Sequence, residues 1–219
     1  MSKTTLLVRH AQASFGSHNY DRLSELGVRQ AEQLGRHLAN RQASFEAVYL
    51  GNLQRHLQTF EGIRKALGGS PEPIMTNALN EYDPEALLRA AGLVPRPEEG
   101  RAHHFKLLRL ALKAWMAGDI TPTTMPAYSD FREGLLTVLK EIRASHSGKV
   151  LVVTSGGPIA TVVGSLLEAS VEATIAINFR VRNASITELA FDEKRHHVVG
   201  LNHIDHLAQL GDPKWITYV

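Results

Sequence analysis

Apolar and polar positions along this chain alternate between two repeats, one of strands and one of helices. Thr4 to Val8 is a short β-rich apolar run ending in polar residues, as expected of a buried central strand that feeds a functional loop over roughly Arg9 to Leu23. After the loop, Ser24 is placed to cap a helix whose Gly27, Ala31, Leu34 and Leu38 recur at the spacing of one buried face. Phe45 to Leu50 reads as a second strand. A second helix starts at about Asn52, with Leu53, Leu57, Phe60 and Leu67 along one side and Gly68-Gly69 at its end. Ile74 to Thr76 is a third, short strand, and Leu79 to Asp83 a polar loop beyond it.

From Pro84 onward the strand signals stop. Helical runs over Glu85 to Ala91, His103 to Ala117 and Tyr128 to Ala144 are separated by Pro95, Pro97, Gly118-Asp119, Pro122 and Pro126, which reads as a helical insertion, about 84–145, over one edge of a sheet. Val150 to Thr154 returns to strand. Pro158 opens another helix, at a position where a missing N–H costs little, and Ala184 to Ala190 with His197 to Leu201 form a closing hairpin. The expectation is an α/β fold: a three-layer sandwich with a mainly parallel central sheet, flanked by helices, in which residues 1–219 form a single domain carrying the insertion.

Composition narrows the function classes. The absence of cysteine removes disulfides, thiolate zinc sites and cysteine nucleophiles, and fits a reducing, cytoplasmic setting. With 24 basic against 22 acidic residues and no dense Lys/Arg block, nucleic acid is not an expected partner. The three apolar residues before Arg9 are too few for a signal-peptide core. Val150 to Leu167 carries no charge, but Thr154-Ser155-Gly156-Gly157-Pro158 breaks it, so strand, turn and helix is the reading and no membrane span is expected. The 11 histidines are scattered without metal-ligand spacing, so no metal or cofactor is called for. A homodimer is left open.

In a mainly parallel sheet, ligands lie beyond the strand C-termini, and Arg9-His10, Asn52 to Arg55, Glu81 and Ser155-Gly156-Gly157 all fall there. Arg9 and Arg55 offer planar forks of donors that match phosphate oxygens. Gly156 and its neighbours open a helix and present backbone N–H groups to an anion. His10 is a candidate nucleophile and Glu81 a candidate acid for the leaving oxygen. Taken singly, each has a plainer reading: a surface Arg-His contact, a solvated Arg55, a Glu81 that caps the next helix.

Leu7-Val8-Arg9-His10-Ala11-Gln12, then Asp21-Arg22-Leu23-Ser24-Glu25-Leu26-Gly27-Val28-Arg29-Gln30-Ala31, then Leu53-Gln54-Arg55-His56-Leu57-Gln58-Thr59, together resemble the histidine phosphatase, or phosphoglycerate mutase-like, superfamily. Leu79-Asn80-Glu81 resembles its acidic segment, and Val150 to Ile159 its last active-site strand and turn. The resemblance implies phosphomonoester hydrolysis through a phosphohistidine on His10, with Arg9 and Arg55 as phosphate clamps, Glu81 as proton donor, and a small phosphorylated molecule or inorganic phosphate in the pocket. Mutase activity is a variant of the same chemistry.

Three positions depart from that family's pattern. Ala11 replaces a glycine, Gly51 a common serine, and Ser155 a second histidine that helps hold the transferring group. A serine hydroxyl donates one hydrogen bond and carries no charge, so weaker catalysis is expected unless another group compensates. His203 and His206 are one source of an imidazole, although an ordinary solvent-facing His-x-x-His pair is preferred for them. Two other functions stay open: a phospholigand binder that has lost turnover, and a serine hydrolase using Ser155 with Asp192 or Asp205 and His206. The last lacks the G-x-S-x-G elbow, because Val153 occupies the first glycine position.

Overall fold

A computed structural model describes residues 3–14 and 21–218, so the middle of the loop expected over Arg9 to Leu23 lies outside the described residues. The central strand β1 (Thr4–Arg9) pairs in parallel with β4 (Lys149–Thr154), which pairs in parallel with β2 (Ala47–Leu50), and β2 with β3 (Ile74–Met75). On the other side of β1, β5 (Ile186–Phe191) runs antiparallel, and β6 (His196–His203) is antiparallel to β5. The order is β3-β2-β4-β1-β5-β6, so the sheet is mainly parallel, as expected, with the closing hairpin on one edge. Because Arg9 pairs with Thr154 and Leu50 with Val153, the C-terminal ends of β1, β2 and β4 form one rim.

Strand alternation builds two cores. Leu6, Val8, Leu151 and Val153 face α1 (Glu25–Asn40) and α2 (Gln54–Leu67), where they meet Leu34, Leu38, Phe60 and Ile63. Leu7, Val150 and Val152 face the opposite way, against the helices that follow β3. Ser24 caps α1 by accepting from Gly27 N, and Gly68 ends α2 at φ 71°, a left-handed position that favours glycine. The helical signals after Pro84 become α3 (Pro84–Ala90), α4 (Gly100–Ala117) and α5 (Tyr128–Ser145). Trp115 anchors them: it is fully buried, its Nε1–H donates to Pro126 O, and its ring meets those of Tyr82, Tyr128 and Phe131. Losing this side chain is expected to cost about 3–5 kcal/mol of stability.

Two elements differ from expectation. The helix α6 (Gly156–Leu166) begins two residues before Pro158, which is tolerated because the N–H groups of a first helical turn have no intrahelical acceptor. A helix with no counterpart in the sequence reading, α7 (Val171–Asn178), follows at once, with Ser170 Oγ accepting from Ala173 N; its eight residues are too few to show a helical repeat. The chain ends with α8 (Asp205–Ala208) and a short turn at Pro213–Trp215.

Candidate active site

The rim opens into a cavity of about 740 Å³ whose floor includes Arg9, His10, Arg55 and Glu81. These residues come from the end of β1, the residue after it, the first turn of α2 and the loop before α3. The backbone of His10 is pinned from three directions: its N–H donates to Thr154 O, and its carbonyl accepts from Ala184 N and from Asn183 Nδ2. Its ring Nδ1 lies 2.7 Å from Ala11 O, a contact that requires the proton on Nδ1 and leaves the Nε2 lone pair unprotonated. Burial, then the charges of Arg55 and Arg9, then His56, hold the His10 pKa well below the usual histidine value. At neutral pH the ring is therefore a neutral base with one nitrogen available.

The cations around it are oriented. Arg9 Nη1 donates to Val181 O, and Arg55 Nη1 donates to Asp21 Oδ1 at 2.7 Å, while Asp21 Oδ2 accepts from Gln54 N at 2.8 Å. Asp21 thereby fixes the Arg55 fork from behind. Thr59 Oγ1 donates to Arg55 O and accepts from Ala11 N, which ties α2 to the segment carrying His10. Both oxygens of Glu81 accept from Gly157 N, at 3.1 and 3.2 Å. Burial raises the Glu81 pKa, opposed by that N–H and by the two arginines. A Cβ at position 157 would collide with Glu81 Oε1, so the glycine makes this approach possible.

Ser155 and Gly156 sit differently. Neither lines the cavity; Ser155 is fully buried, with its Oγ 2.7 Å from His56 Nε2. Gly156 packs under Arg9, where a Cβ would stand 3.2 Å from Asn178 Oδ1 and 3.6 Å from Arg9 Nε. His203 and His206 bring no imidazole to the rim. His203 is exposed on β6, and His206, against the solvent-facing expectation, is buried, its ring tilted against that of His37. Asp192 accepts from Lys194 N and Arg195 N within its own hairpin, so the Ser, Asp, His order of a serine hydrolase is not assembled around Ser155.

The outer cavity wall is supplied by α4, through His104, Lys106 and Arg109, and by residues the sequence reading did not single out: Asn178, Phe179, Arg180 and Tyr218. Phe179 meets Phe105 edge-on at 5.8 Å and lies under Arg109 at 5.4 Å. Asn178 Nδ2 donates to the hydroxyl of Tyr82. Asn178 ends α7 and Phe179 and Arg180 follow it, a helix that was not anticipated, and Tyr218 comes from the last residues of the chain, so no signal pointed to them. Among the described residues, no group of three or more His, Cys, Asp or Glu could hold a metal ion, and no helix is long and apolar enough to cross a membrane.

Comparison with known proteins bears on the family and the fold. A protein named "Putative phosphoserine phosphatase 2" from Hydrogenobacter thermophilus is 23% identical over 222 residues, covering 95% of this chain and 99% of its own. A mycobacterial glucosyl-3-phosphoglycerate phosphatase, solved with VO3, superposes with a TM-score of 0.68 at 21% identity, covering 93% of this chain and 100% of that one. A phosphoserine phosphatase mutant from Entamoeba histolytica, solved with phosphoserine, gives a TM-score of 0.66 at 19% identity, over 93% and 98% of the two chains. The profile of the histidine phosphatase superfamily, branch 1, matches residues 5–204, and the chain belongs to that family.

Proposed function

We propose that the chain is a phosphomonoester hydrolase that works through a phosphohistidine on His10. The observation that carries this reading is one cavity floor holding a neutral imidazole with its Nε2 lone pair available, two guanidinium groups and a buried carboxyl of raised pKa. In the first step Nε2 attacks phosphorus, the bond from phosphorus to the substrate oxygen breaks, and Glu81 gives that oxygen its proton. In the second step water attacks the phosphohistidine, Glu81 takes the proton back, and inorganic phosphate leaves. Arg9 and Arg55 neutralise charge on the phosphoryl oxygens throughout.

The substrate in this reading is a small phosphorylated molecule with a second anionic group. Lys106, Arg109 and Arg180 line the outer cavity against a single acidic side chain there, Glu85. The related proteins act, by their printed names, on phosphoserine and glucosyl-3-phosphoglycerate, each of which carries a carboxylate beside the phosphate. The test is turnover of a phosphomonoester panel by wild type and His10→Ala, with acid-labile phosphoenzyme trapped in the wild type. A loss of about 10³-fold or more is expected on removing the nucleophile. A folded His10→Ala protein with wild-type turnover overturns the mechanism.

A further inference from the structure

Three side-chain identities meet in one buried spot behind the nucleophile. Ser155 stands where the family resemblance expects a histidine, Gly51 where it expects a serine, and His56 is an imidazole to which that resemblance gives no role. His56 and Ser155 are both fully buried, with Nε2 and Oγ 2.7 Å apart. Gly51 lies on the far side of the ring: a Cβ there would land on His56 Nδ1 and stand 2.8 Å from Leu79 O. A serine at 51 is therefore excluded while the ring is in place. A histidine at 155 meets the same obstacle, because the short Ser155 side chain already touches Nε2 and neither residue borders open space. The departures at 51 and 155 are one packing solution, in which an imidazole comes from α2 rather than from the end of β4.

The ring is placed to serve the reaction. Its centroid lies 5.8 Å from that of His10, with the planes tilted by 43°. Ser155 precedes α6, where a serine side chain ordinarily caps the helix; here its hydroxyl makes no cap bond and is committed to His56 instead. Two residues further on, Gly157 N holds Glu81. One buried contact thus fixes α2, which carries Arg55, against the turn whose Gly157 N–H holds the acid.

We propose that His56 is a positioning residue of this active centre, ordering the nucleophile and the acid from α2 and through Ser155, at the place where the family pattern has a histidine at 155. The proposal rests on the phosphatase reading. Burial and the neighbouring Arg55 hold the His56 pKa down to about 3, so the ring backs His10 without adding a third positive charge beside Arg9 and Arg55. A group that orders the nucleophile and the acid, and does not touch the phosphate, is expected to act on kcat and on binding of a transition-state-like anion more than on KM.

The experiment measures kcat and KM for phenyl phosphate, and vanadate affinity by calorimetry, in wild type, His56→Ala, His56→Phe and the double variant H56A/S155H, each with its melting temperature. His56→Phe keeps a ring beside His10 but cannot bond Ser155, and it carries the test if His56→Ala does not fold. Both single variants are expected to lose about tenfold or more in kcat, with KM within about threefold, and to bind vanadate correspondingly more weakly. H56A/S155H is expected to recover most of the loss, since it returns the imidazole to the position the family uses. A folded His56→Phe with kcat within about twofold of wild type, or a double variant no better than His56→Ala, overturns the proposal. A wild type that turns over no phosphomonoester overturns the phosphatase reading. In that case the vanadate arm still decides on His56, and equal affinity in wild type and His56→Phe rejects it.

Discussion

Among the described residues two pairs of tilted histidine rings can be compared, and only one of them has a ring that lines the cavity. His10 and His56 lie 5.8 Å apart at 43°, and His37 and His206 lie 5.3 Å apart at 41°. In both pairs burial is the first cause that lowers the pKa. The difference lies in the surroundings. The first pair stands at the C-terminal rim of the parallel strands, with Arg9, Arg55 and Glu81 on the floor of a cavity. The second is wedged between α1 and α8, with Arg41 and Asp205 as its charged neighbours and Leu207 packed into the core alongside. Two paired imidazoles with depressed pKa values therefore do not make a site. Location at the strand ends, together with two arginines lining the same cavity, separates the pair that holds the candidate nucleophile from the other.

The largest test of that contrast removes an arginine from the first pair. Arg55→Ala takes away a phosphate fork and leaves Asp21 without its 2.7 Å partner, so kcat/KM for phenyl phosphate is expected to fall by about 10²–10³-fold. Arg55→Lys should recover only part of this, because an ammonium cannot hold phosphate and Asp21 in one plane. Arg41→Ala, beside the second pair, is expected to change turnover by less than about twofold. Equal losses in the two alanine variants would erase the distinction between the pairs.

Next in size is Glu81→Gln, whose effect depends on the leaving group. With phosphoserine, a poor leaving group, kcat is expected to drop by about 10²-fold; with p-nitrophenyl phosphate, whose oxygen needs no proton, by about tenfold or less. Because burial raises the Glu81 pKa, the acid stays protonated closer to neutrality than an ordinary carboxyl. Wild-type turnover of phosphoserine should therefore decline as pH rises through that pKa, and Glu81→Gln should remove the decline. The same pH dependence in both proteins assigns the proton to another group.

Much of this was legible in the sequence because it depends on local rules. Short, β-rich apolar runs at Thr4 to Val8 and Val150 to Thr154 marked the two central strands, and Ser24 and Gly68 marked helix ends through their own side-chain and backbone preferences. The strand-end rule then gathered Arg9, His10, Arg55 and Glu81 from distant segments, and the structure brings these four to one cavity. What stayed hidden depends on contacts between elements. The bond from His56 to Ser155 joins residues 99 apart, and neither side chain carries a local mark of the other. Phe179 and Arg180 follow α7, too short to show a repeat, and Tyr218 reaches the cavity from a segment that Gln30, Asn183 and Arg182 hold through Trp215, Thr217 and Tyr218 itself. His206 was misread as solvent-facing because its burial depends on α8 packing against α1, which no periodicity in four residues can reveal.

That misread histidine gives the smallest effect, and it concerns stability. His206 is buried, its Nε2 has no hydrogen-bond partner among the described residues, and its pKa is lowered to about 4. A histidine whose folded pKa lies below its unfolded value of about 6.5 binds protons more readily in the unfolded chain. Its stabilising contribution is thus complete above pH 6.5 and is lost as pH falls toward 4. Between pH 7 and pH 5 this one ring should cost the fold about 2 kcal/mol. His206→Leu removes the titration and the unpaired nitrogen while keeping an apolar group against α1, so at pH 7 it should be neutral to slightly stabilising. His10, His56 and His196, also depressed, titrate in both proteins and cancel in the comparison, whereas His37, also lowered, touches His206 and stays in the variant beside an apolar group. Urea unfolding of wild type and His206→Leu at pH 7 and pH 5 should therefore show the variant losing about 2 kcal/mol less, with kcat unchanged. If the two proteins lose stability in parallel, His206 is not neutral and buried; if kcat falls as well, the second pair is coupled to the first and the contrast between them fails.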